Sequence, residues 1–364
     1  MRKTQKEIAR KVGVSVMTVS LALRDSPLLR EETRRKVQQA ADEMNYYPSE
    51  IARSLSTGKS RTVGFVMPEF SQNFFFEFLE EINLRLDKKR YLVIPISVKN
   101  NEGRYVRNAI ETFISRGVDG IIAPHVPARI AAHLKEKNIP FVLYGSPGGF
   151  IPAAAGKKSN GFDYVMCDKY KGARMMMEHL VSLGHRKIGF LCQTGDEARF
   201  AAYRDVLAES GIPFREEMVF HGAGFYETGH AGMKKLLSGG ERPDAVFAMN
   251  DLSAIGGMRA ISEAGLRVPG DIAVAGFDNI KESGYWAVSL TTVDQKREIL
   301  AGHIAEILLR KIEKGDRRRY RVVVEPELVI RESCGYKLGK ENQNPSHGEH
   351  IKEEFGVKEV VAGI

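Results

Sequence analysis

Residues 4–23 read TQKEIARKVGVSVMTVSLAL, and this stretch decides the fold of the N-terminal region. Thr4 and Glu7 have the spacing of a capping box, which predicts that a helix begins at this point. Gly13 permits a sharp turn after that helix, and Ser15 can cap a second helix just beyond it. Two helices joined by so short a glycine-containing connection predict a helix-turn-helix.

A third helix is predicted over residues 31–45, where apolar residues recur at helical spacing. They form a stripe that can close a three-helix core, and its members are Val37, Ala40, Ala41 and Met44. The alternative is a helical cap packed on a larger domain, but the charge of the region argues against it. Residues 1–61 contain 13 Lys/Arg and 7 Asp/Glu, so they carry +6 of the total net charge of +8. Such a local excess is expected where a protein neutralises phosphates.

The run of residues 4–23, with residues 32–34 (ETR) and 45–48 (NYYP), closely resembles the lactose-repressor (LacI/GalR) family of bacterial transcription regulators. The resemblance implies that the second helix enters the major groove of operator DNA. The implied base-facing residues are Val16, Met17 and Leu21, the implied phosphate-binding residues are Thr4, Ser15, Thr18 and Ser20, and Arg24 and Tyr46 are further DNA contacts. Apolar base-facing residues can contact thymine methyl groups but cannot form bidentate hydrogen bonds. The alternative for each of them is a place in the core.

Residues 48–60 (PSEIARSLSTGKS) are predicted to form a hinge between two domains. The segment is only about two helical turns long and rich in serine, so a helix without a partner is marginal. In the family that it resembles, this segment becomes a helix on operator DNA, and two copies meet across a dimer axis. By position, Leu55 would wedge between bases of the minor groove, with Ala52 and Arg53 beside it.

From residue 62 onward, short β-branched runs alternate with amphipathic helical patterns. This alternation implies parallel sheets covered by helices on both faces. The first predicted set of strands covers residues 62–67, 91–96, 120–123 and 141–144, and the second covers 164–166, 187–191, 245–249 and 272–276. Two sets of similar length predict two doubly wound lobes with a ligand crevice between the carboxyl ends of their strands.

Further stretches resemble the same family, so the resemblance covers nearly the whole chain up to Cys334. They are residues 179–189, 243–251, 265–272, 276–279 and 290–295. The implied fold class is an N-terminal all-α helix-turn-helix domain plus an α/β domain like that of periplasmic binding proteins, with two doubly wound parallel-sheet lobes. The expected divisions are a helix-turn-helix domain (1–47), the hinge (48–60), an effector-binding and dimerisation domain (61–334) and a polar tail (335–364). Within the large domain, the N-lobe is expected at about 61–160 and 293–323, and the C-lobe at about 161–292 and 324–334.

The resemblance also implies a small-molecule effector, most commonly a carbohydrate, with a purine or another metabolite as the alternative. Its contact residues would be Phe74, Phe75, Tyr144, Arg199, Phe225, Asn250 and Asp278. Recognition of a polyol needs planar hydrogen-bonding groups beside an aromatic face, and this set supplies both. Each residue also has a structural alternative, because a phenylalanine is commonly core and Asn250 could simply cap a helix.

Two other classes of protein fit the sequence less well. An enzyme is disfavoured because the chain contains no GxGxxG, GxxxxGK[ST], HExxH or GxSxG motif, and neither a cofactor nor a metal is predicted. A stand-alone solute-binding protein would need an export signal, whereas the chain starts with Met1, Arg2 and Lys3 and has no apolar segment behind them. The sequence therefore predicts a cytoplasmic, homodimeric DNA-binding repressor without a membrane partner. The tail lacks the leucine heptads that would make a tetramer.

Overall fold

The computed structural model describes residues 3–47, 53–54, 57–68, 73–98, 103–145, 162–193, 197–222 and 225–336. The chain divides between Ser60 and Arg61 into two compact units, a small helical unit and a larger α/β unit. Within the ranges just given, no helix has both the length and the apolar character that a membrane span requires. The predicted tail beyond residue 336 lies outside the described residues, as does most of the predicted hinge.

The small unit has the predicted helix-turn-helix arrangement. Its helices are α1 (Gln5–Val12), α2 (Val16–Ala22) and α3 (Glu31–Glu43). The capping box forms, because the Thr4 hydroxyl accepts from the Glu7 backbone while the Glu7 carboxylate accepts from the Thr4 backbone. Gly13 ends α1 in the left-handed conformation with φ 73°, and the Ser15 side chain caps α2.

One face of each helix forms the core of this unit. The fully or nearly fully buried residues are Ile8, Ala9, Val19, Ala22, Val37, Ala40 and Ala41. Met44, the last member of the predicted stripe, is partly buried against them. The three-helix core predicted from the periodicity is therefore confirmed, and its small alanine side chains let α3 lie close to its neighbours.

The larger unit alternates strands and helices along the chain. Its strands are β1 (Thr62–Met67), β2 (Leu92–Ser97), β3 (Gly120–Ala123), β4 (Phe141–Tyr144), β5 (Tyr164–Cys167), β6 (Ile188–Gln193), β7 (Val219–Gly222), β8 (Ala245–Ala248), β9 (Ala273–Ala275), β10 (Thr292–Asp294), β11 (Arg321–Val324) and β12 (Glu327–Val329). Its helices are α4 (Asn73–Asp87), α5 (Gly103–Ser115), α6 (Ala128–Glu136), α7 (Lys169–Ser182), α8 (Glu197–Glu209), α9 (Tyr226–Ser238), α10 (Asp251–Glu263), α11 (Lys281–Tyr285) and α12 (Arg297–Lys314).

Ten of the twelve described strands form two parallel sheets, each the centre of one lobe. The first sheet has the order β11–β5–β4–β3–β1–β2, and the second has the order β7–β6–β8–β9. Helices α4 and α12 cover one face of the first sheet, and α5 and α6 cover the other. In the second sheet, α7 and α8 lie on one face and α9 and α10 on the other. Two doubly wound lobes, as predicted, follow from this arrangement.

Strand β5 corrects one assignment made from the sequence. The pattern assigns residues 164–166 to the second set of strands, with a passage between lobes near residue 160. In the structure β5 pairs with β4 and β11, so it belongs to the first sheet and that assignment is wrong. Local periodicity identifies a strand but not its hydrogen-bonding partner, which is decided by tertiary pairing. The chain leaves the first sheet only after Cys167, where α7 begins and packs on α8.

The chain passes between the lobes twice more. After β10, helix α12 returns to the first lobe and packs on α4 and β5. After β11 the chain leaves again, and β12 pairs antiparallel with β10, with Val293 opposite Leu328. These passages lie close to the predicted positions near residues 292 and 324.

Helices α9 and α10 approach each other closely at two glycines. A Cβ atom on Gly229 would lie 1.9 Å from the carbonyl oxygen of Ser253, and one on Gly256 would lie 2.1 Å from that of Tyr226. Because both obstacles are backbone atoms, no side-chain rotation can relieve the clash. The contact between the two helices therefore requires glycine at these positions.

We expect Gly229→Ala to lower the free energy of unfolding of the larger unit by about 2 kcal/mol or more, since the helices would have to separate. Gly257→Ala in α10 is the matched control, because its Cβ would meet the Leu191 side chain at an ordinary 3.4 Å. The control should leave stability unchanged or raise it by up to about 1 kcal/mol through helix propensity. Urea unfolding followed by circular dichroism measures both variants, and equal stabilities would contradict the close packing.

Candidate functional sites

Helix α2 presents two large apolar side chains to solvent. Val16 is 41% exposed and Met17 is 69% exposed, whereas Val19 and Ala22 on the opposite face are fully buried. The core alternative therefore does not hold for Val16 and Met17. Leu21, the third predicted base-facing residue, is half-buried. The N-terminal half of α2 can therefore enter a DNA groove, because the residues that pack α2 on the core, Val19 and Ala22, do not lie on the exposed surface.

The predicted phosphate-binding residues lie at the starts of α1 and α2. The Ser15 hydroxyl accepts from the backbone nitrogen of Thr18 at 3.0 Å and lies 2.9 Å from the Thr18 hydroxyl. Thr4 caps α1, and Ser20 lies half-buried within α2. The Thr4 hydroxyl also donates to the Glu7 carboxylate at 3.0 Å. In the Ser15–Thr18 pair one hydroxyl donates to the other, so one hydroxyl proton of that pair remains to be donated to an anion.

The remaining predicted DNA contacts differ in how they are held. Arg24 is exposed just after α2, and Tyr46 is partly buried against the core of the small unit. Arg53 is half-buried. Ala52 and Leu55 lie outside the described residues, so the minor-groove wedge stays a prediction.

The predicted effector contacts all follow the end of a strand in the larger unit. Their positions are Phe74 and Phe75 after β1, Tyr144 at the end of β4, Arg199 after β6, Phe225 after β7, Asn250 after β8 and Asp278 after β9. Because the strands of each sheet are parallel, these positions lie at the carboxyl edges of the sheets. That edge is where doubly wound folds bind ligands.

Three aromatic residues of the first lobe form one cluster. The rings of Phe74 and Phe75 are 5.2 Å apart, and those of Phe75 and Tyr144 are 5.7 Å apart. The Tyr144 hydroxyl donates to the Val66 carbonyl at 2.8 Å, and burial raises the pKa of Tyr144 well above its ordinary value. Tyr144 thus supports the cluster from the core, while Phe75 is only partly buried and offers more of its ring.

Arg199 and Asp278 form the polar centre of the second lobe's edge. The Arg199 guanidinium lies 4.6 Å from the centre of the Phe277 ring, and its charge acts favourably on the Asp278 carboxylate. Gln295 donates to Asp278 at 2.5 Å. Burial raises the pKa of Asp278 to about 6, although Arg199 and the Gln295 bond act in the opposite direction. A half-buried carboxylate of this kind, beside an arginine and an amide, can bind hydroxyl or amine groups of a ligand.

Asn250 and Phe225 are tied to helix α10. The Asn250 side chain accepts from the backbone nitrogen of Ser253 at 2.8 Å, which is the helix-capping role given as its alternative. The Phe225 carbonyl accepts from the Ser253 hydroxyl at 3.1 Å. Neighbouring Asp251 is fully buried, and burial together with the charge of Asp278 raises its pKa well above the ordinary value.

Sequence reasoning missed several residues that surround Asp278. They are Glu77, Phe277, Gln295 and Arg297. Phe277 and Gln295 lie in stretches that carried the family resemblance, so a signal for them existed. Arg297 begins α12, forms an ion pair with Glu77 and lies 5.6 Å above the Phe74 ring. Nothing in the local pattern marks these two charges as partners.

Two family models match the chain. The model for "Bacterial regulatory proteins, lacI family" matches residues 4–49, and the model for "Periplasmic binding protein-like domain" matches residues 177–334. The first covers the helix-turn-helix, and the second covers most of the second lobe and two of the three passages between lobes.

Curated proteins and solved structures are similar over nearly the full length. The chain is 31% identical over 339 residues to the HTH-type transcriptional repressor PurR of Vibrio atlanticus, covering 90% of this chain and 97% of that one. It is 29% identical to PurR of Mannheimia succiniciproducens, covering 91% and 98%. The structure of the lac repressor dimer bound to operator and the anti-inducer ONPF matches with TM-score 0.77 and 25% identity, covering 92% and 99%. The complex of the transcriptional regulator CelR with cellobiose matches with TM-score 0.66 and 26% identity, covering 91% and 100%.

The raised pKa of Asp278 predicts a pH dependence of stability. Its ordinary value is 3.8 and its folded value is about 6, so between these values the folded protein binds more protons than the unfolded chain. Stability contributed by this group therefore rises as the pH falls through about 6. Relative to Asp278→Asn, we expect the wild-type free energy of unfolding to rise by up to about 3 kcal/mol between pH 8 and pH 4.

Urea unfolding across that pH range measures the difference between the two proteins. Asp271→Asn serves as the control of opposite sign, because a backbone hydrogen bond from Arg267 lowers the pKa of Asp271. For that pair, the wild-type advantage should shrink as the pH falls. A flat difference for Asp278→Asn would mean that the pKa of Asp278 is not raised in the folded protein.

Proposed function

Since this chain belongs to the lacI family of bacterial regulatory proteins, we propose that a small molecule bound between its two lobes controls its affinity for operator DNA. The chain is a DNA-binding transcriptional repressor. The observation that supports control by a small molecule is that one chain contains both features: helix α2 of the small unit exposes apolar side chains to solvent, and the larger unit has polar and aromatic residues at the ends of its strands. A chromosome-binding protein of bacteria acts in the cytoplasm, so we assign it to that compartment.

In this proposal, α2 inserts Val16 and Met17 into the major groove. Their exposure supports the role, since an exposed methionine on a short helix has no packing function of its own. Thr4, Ser15, Thr18 and Ser20 bind phosphates and fix the register of the helix on the duplex, while Leu21 and Arg24 extend the contact. Tyr46 steadies the end of α3 near the hinge.

The repressor acts as a homodimer. Helix α4 carries the exposed apolar residues Phe76 and Leu84, which are 45% and 54% exposed and lie two turns apart on one face. A second copy of the chain would cover such a face, and the similar lac repressor is a dimer on its operator. Two copies would bring two hinge segments together, so that Ala52, Arg53 and Leu55 of each enter the minor groove.

The effector binds at the carboxyl edges of the two sheets. Arg199, Asp278 and Asn250 supply polar groups for hydroxyls, and Phe74, Phe75 and Phe225 supply ring surface, with Tyr144 behind them. A carbohydrate fits this combination, and the similar CelR structure contains cellobiose. A purine is the alternative, because the partly buried ring of Phe75 would suit a planar base as well.

Effector and operator are linked through the arrangement of the lobes. A ligand that prefers one arrangement shifts the population toward it and so changes the spacing of the two N-lobes in the dimer. The hinge segments can pair on DNA only at one spacing. Induction and corepression differ only in which arrangement the ligand prefers.

Met17→Ala tests the reading helix. We expect affinity for a duplex selected from random sequence by the wild-type protein to fall about tenfold or more, because the dimer loses two groove contacts. Affinity for random DNA should change far less. Gel-shift titrations at constant salt measure both.

Gln39→Ala is the matched control, because it also shortens an exposed flexible side chain of the small unit but lies on α3. Its affinity for the selected duplex should stay within about twofold of wild type. If the wild-type protein selects no sequence, or if Met17→Ala binds the selected duplex as tightly as wild type does, the proposed reader is wrong.

Arg199→Met tests the effector site. We expect loss of detectable binding of whichever compound the wild-type protein binds from a panel of cellobiose, ribose, hypoxanthine and guanine, because a buried arginine supplies charged hydrogen bonds that methionine cannot. Isothermal calorimetry measures the binding. Arg204→Met is the control, since Arg204 also lies over aromatic rings, those of Phe200 and Phe214, but is exposed. Equal binding by wild type and Arg199→Met would remove Arg199 from the site.

A further inference from the structure

The backbone is strained at Asp278 and Asn279. Both have positive φ, 120° and 53°, and neither is glycine. Two consecutive residues in this region cost free energy that the surrounding structure must offset, and such strain is concentrated at ligand clamps and switch regions. The strained turn carries the Asp278 carboxylate, which the proposed function treats as an effector contact.

Side chains in or just after strands β10 and β12 hold the turn in place. Gln295 donates to the Asp278 carboxylate, and Arg331 donates to the Asn279 side chain at 2.7 Å. The Asn279 amide donates in turn to Asp294 at 3.2 Å. These contacts fix the direction of both side chains but leave the two carbonyl oxygens of the turn to another partner.

Arg297 is that partner, and it reaches the turn from α12 of the first lobe. One guanidinium nitrogen donates to the carbonyl oxygens of Asp278 and Asn279 at 2.8 Å and 2.9 Å. The other terminal nitrogen forms an ion pair with Glu77 of α4 at 2.5 Å, and the two side chains are only 15% and 14% exposed. A planar fork with this many donors can bridge a carboxylate and two carbonyls at once.

The bridge from α4 is double. The second Glu77 oxygen accepts from the backbone nitrogen of Lys281, at the start of α11, at 3.2 Å. One turn earlier in α4, the Asn73 amide donates to the Glu282 carboxylate at 2.6 Å. Helix α4 of the first lobe therefore contacts both the strained turn, through Arg297, and the helix that follows it.

We propose that Arg297, paired with Glu77, is a positioning residue that couples the strained Asp278–Asn279 turn of the effector site to helix α4. The inference rests on the proposed function, and it adds the physical route by which an effector on Asp278 reaches the first lobe. Ligand binding that moves the turn also moves the two carbonyl oxygens that accept hydrogen bonds from Arg297. The ion pair between Arg297 and Glu77 passes this displacement to α4. Since α4 also carries the exposed apolar face of Phe76 and Leu84, the route ends at the surface proposed for the second copy.

Hydrogen–deuterium exchange of the full chain without ligand tests the coupling. The variants are Arg297→Met, the isosteric Glu77→Gln and both together. The control is Arg310→Met, which removes a half-buried α12 arginine that interacts with Glu306 and Tyr320 and not with the turn. We expect exchange in the peptide covering residues 278–282 to accelerate about tenfold or more in Arg297→Met, and clearly also in Glu77→Gln, although Glu77 lies in the other lobe. The double variant should exchange no faster than Arg297→Met alone, because each single substitution already removes the same Arg297–Glu77 ion pair. The control should match wild type.

A second readout uses the protonation of Asp278, on which the charges of Lys169, Arg199, Arg297 and Asp251 act. If Arg297 is held at the turn, Arg297→Met should shift the Asp278 titration, measured as the pH dependence of stability against Asp278→Asn in the same background, to higher pH. A residue that merely stabilises α12 would not move it.

Unchanged exchange at residues 278–282 in Arg297→Met or in Glu77→Gln, strictly additive effects of the two, or an unmoved titration would each overturn the coupling. All of these readouts are made on the protein alone. Absence of selective operator binding by the wild-type chain would instead overturn the proposed function, so the two failures are distinguishable.

Discussion

Two of the three passages between the lobes are tied to each other by the short antiparallel ribbon of β10 and β12. The ribbon borders the candidate effector site directly, because the backbone nitrogen of Asp278 donates to the Val293 carbonyl at 2.8 Å. Gln295 and Arg297 follow β10 within three residues. The segment that joins the lobes therefore also holds the carboxylate that we propose binds the effector.

Asp251, which is fully buried, and Asp278, which is half-buried, have different hydrogen-bond partners in the second lobe. Asp251 accepts from the Thr292 hydroxyl with one oxygen and from the backbone nitrogen of Ile280 with the other, at 2.5 Å and 2.9 Å. Gly276 allows it this position, since a Cβ there would lie 2.3 Å from an Asp251 oxygen. The Asp251 carboxylate thus joins two segments, at Ile280 and Thr292, whereas Asp278 lies on a strained turn where the charge of Arg199 acts on it. Burial raises the pKa of both, and we propose a ligand contact for Asp278 alone.

What the sequence could predict follows from how local each signal is. The capping box, Gly13 and the apolar stripe of α3 act within a few residues of one another, and the small unit has the fold they predict. The alternation of strands and helices likewise predicts doubly wound lobes. The lobe of β5 could not be predicted, because its partner β11 lies some 150 residues later in the chain and periodicity carries no information on pairing. The Arg297–Glu77 ion pair could not be predicted for the same reason. Tyr144 lies at the predicted edge of the sheet, but its hydroxyl donates to the Val66 carbonyl in the core.

Helix α2 shows how a small core limits the way in which DNA can be read. Only Val19 and Ala22 of its seven residues are buried, so the helix depends on the Ser15 cap and on its neighbours rather than on its own apolar area. Exposed Val16 and Met17 contribute nothing to that stability in free solution, and their apolar surface is removed from water only when a partner covers it. In a major groove, the apolar partner for them is the thymine methyl group, which marks A·T pairs but gives no hydrogen-bond discrimination. In the proposed mode of reading, recognition of G·C pairs would come from polar groups such as Arg24 and from the shape of the duplex.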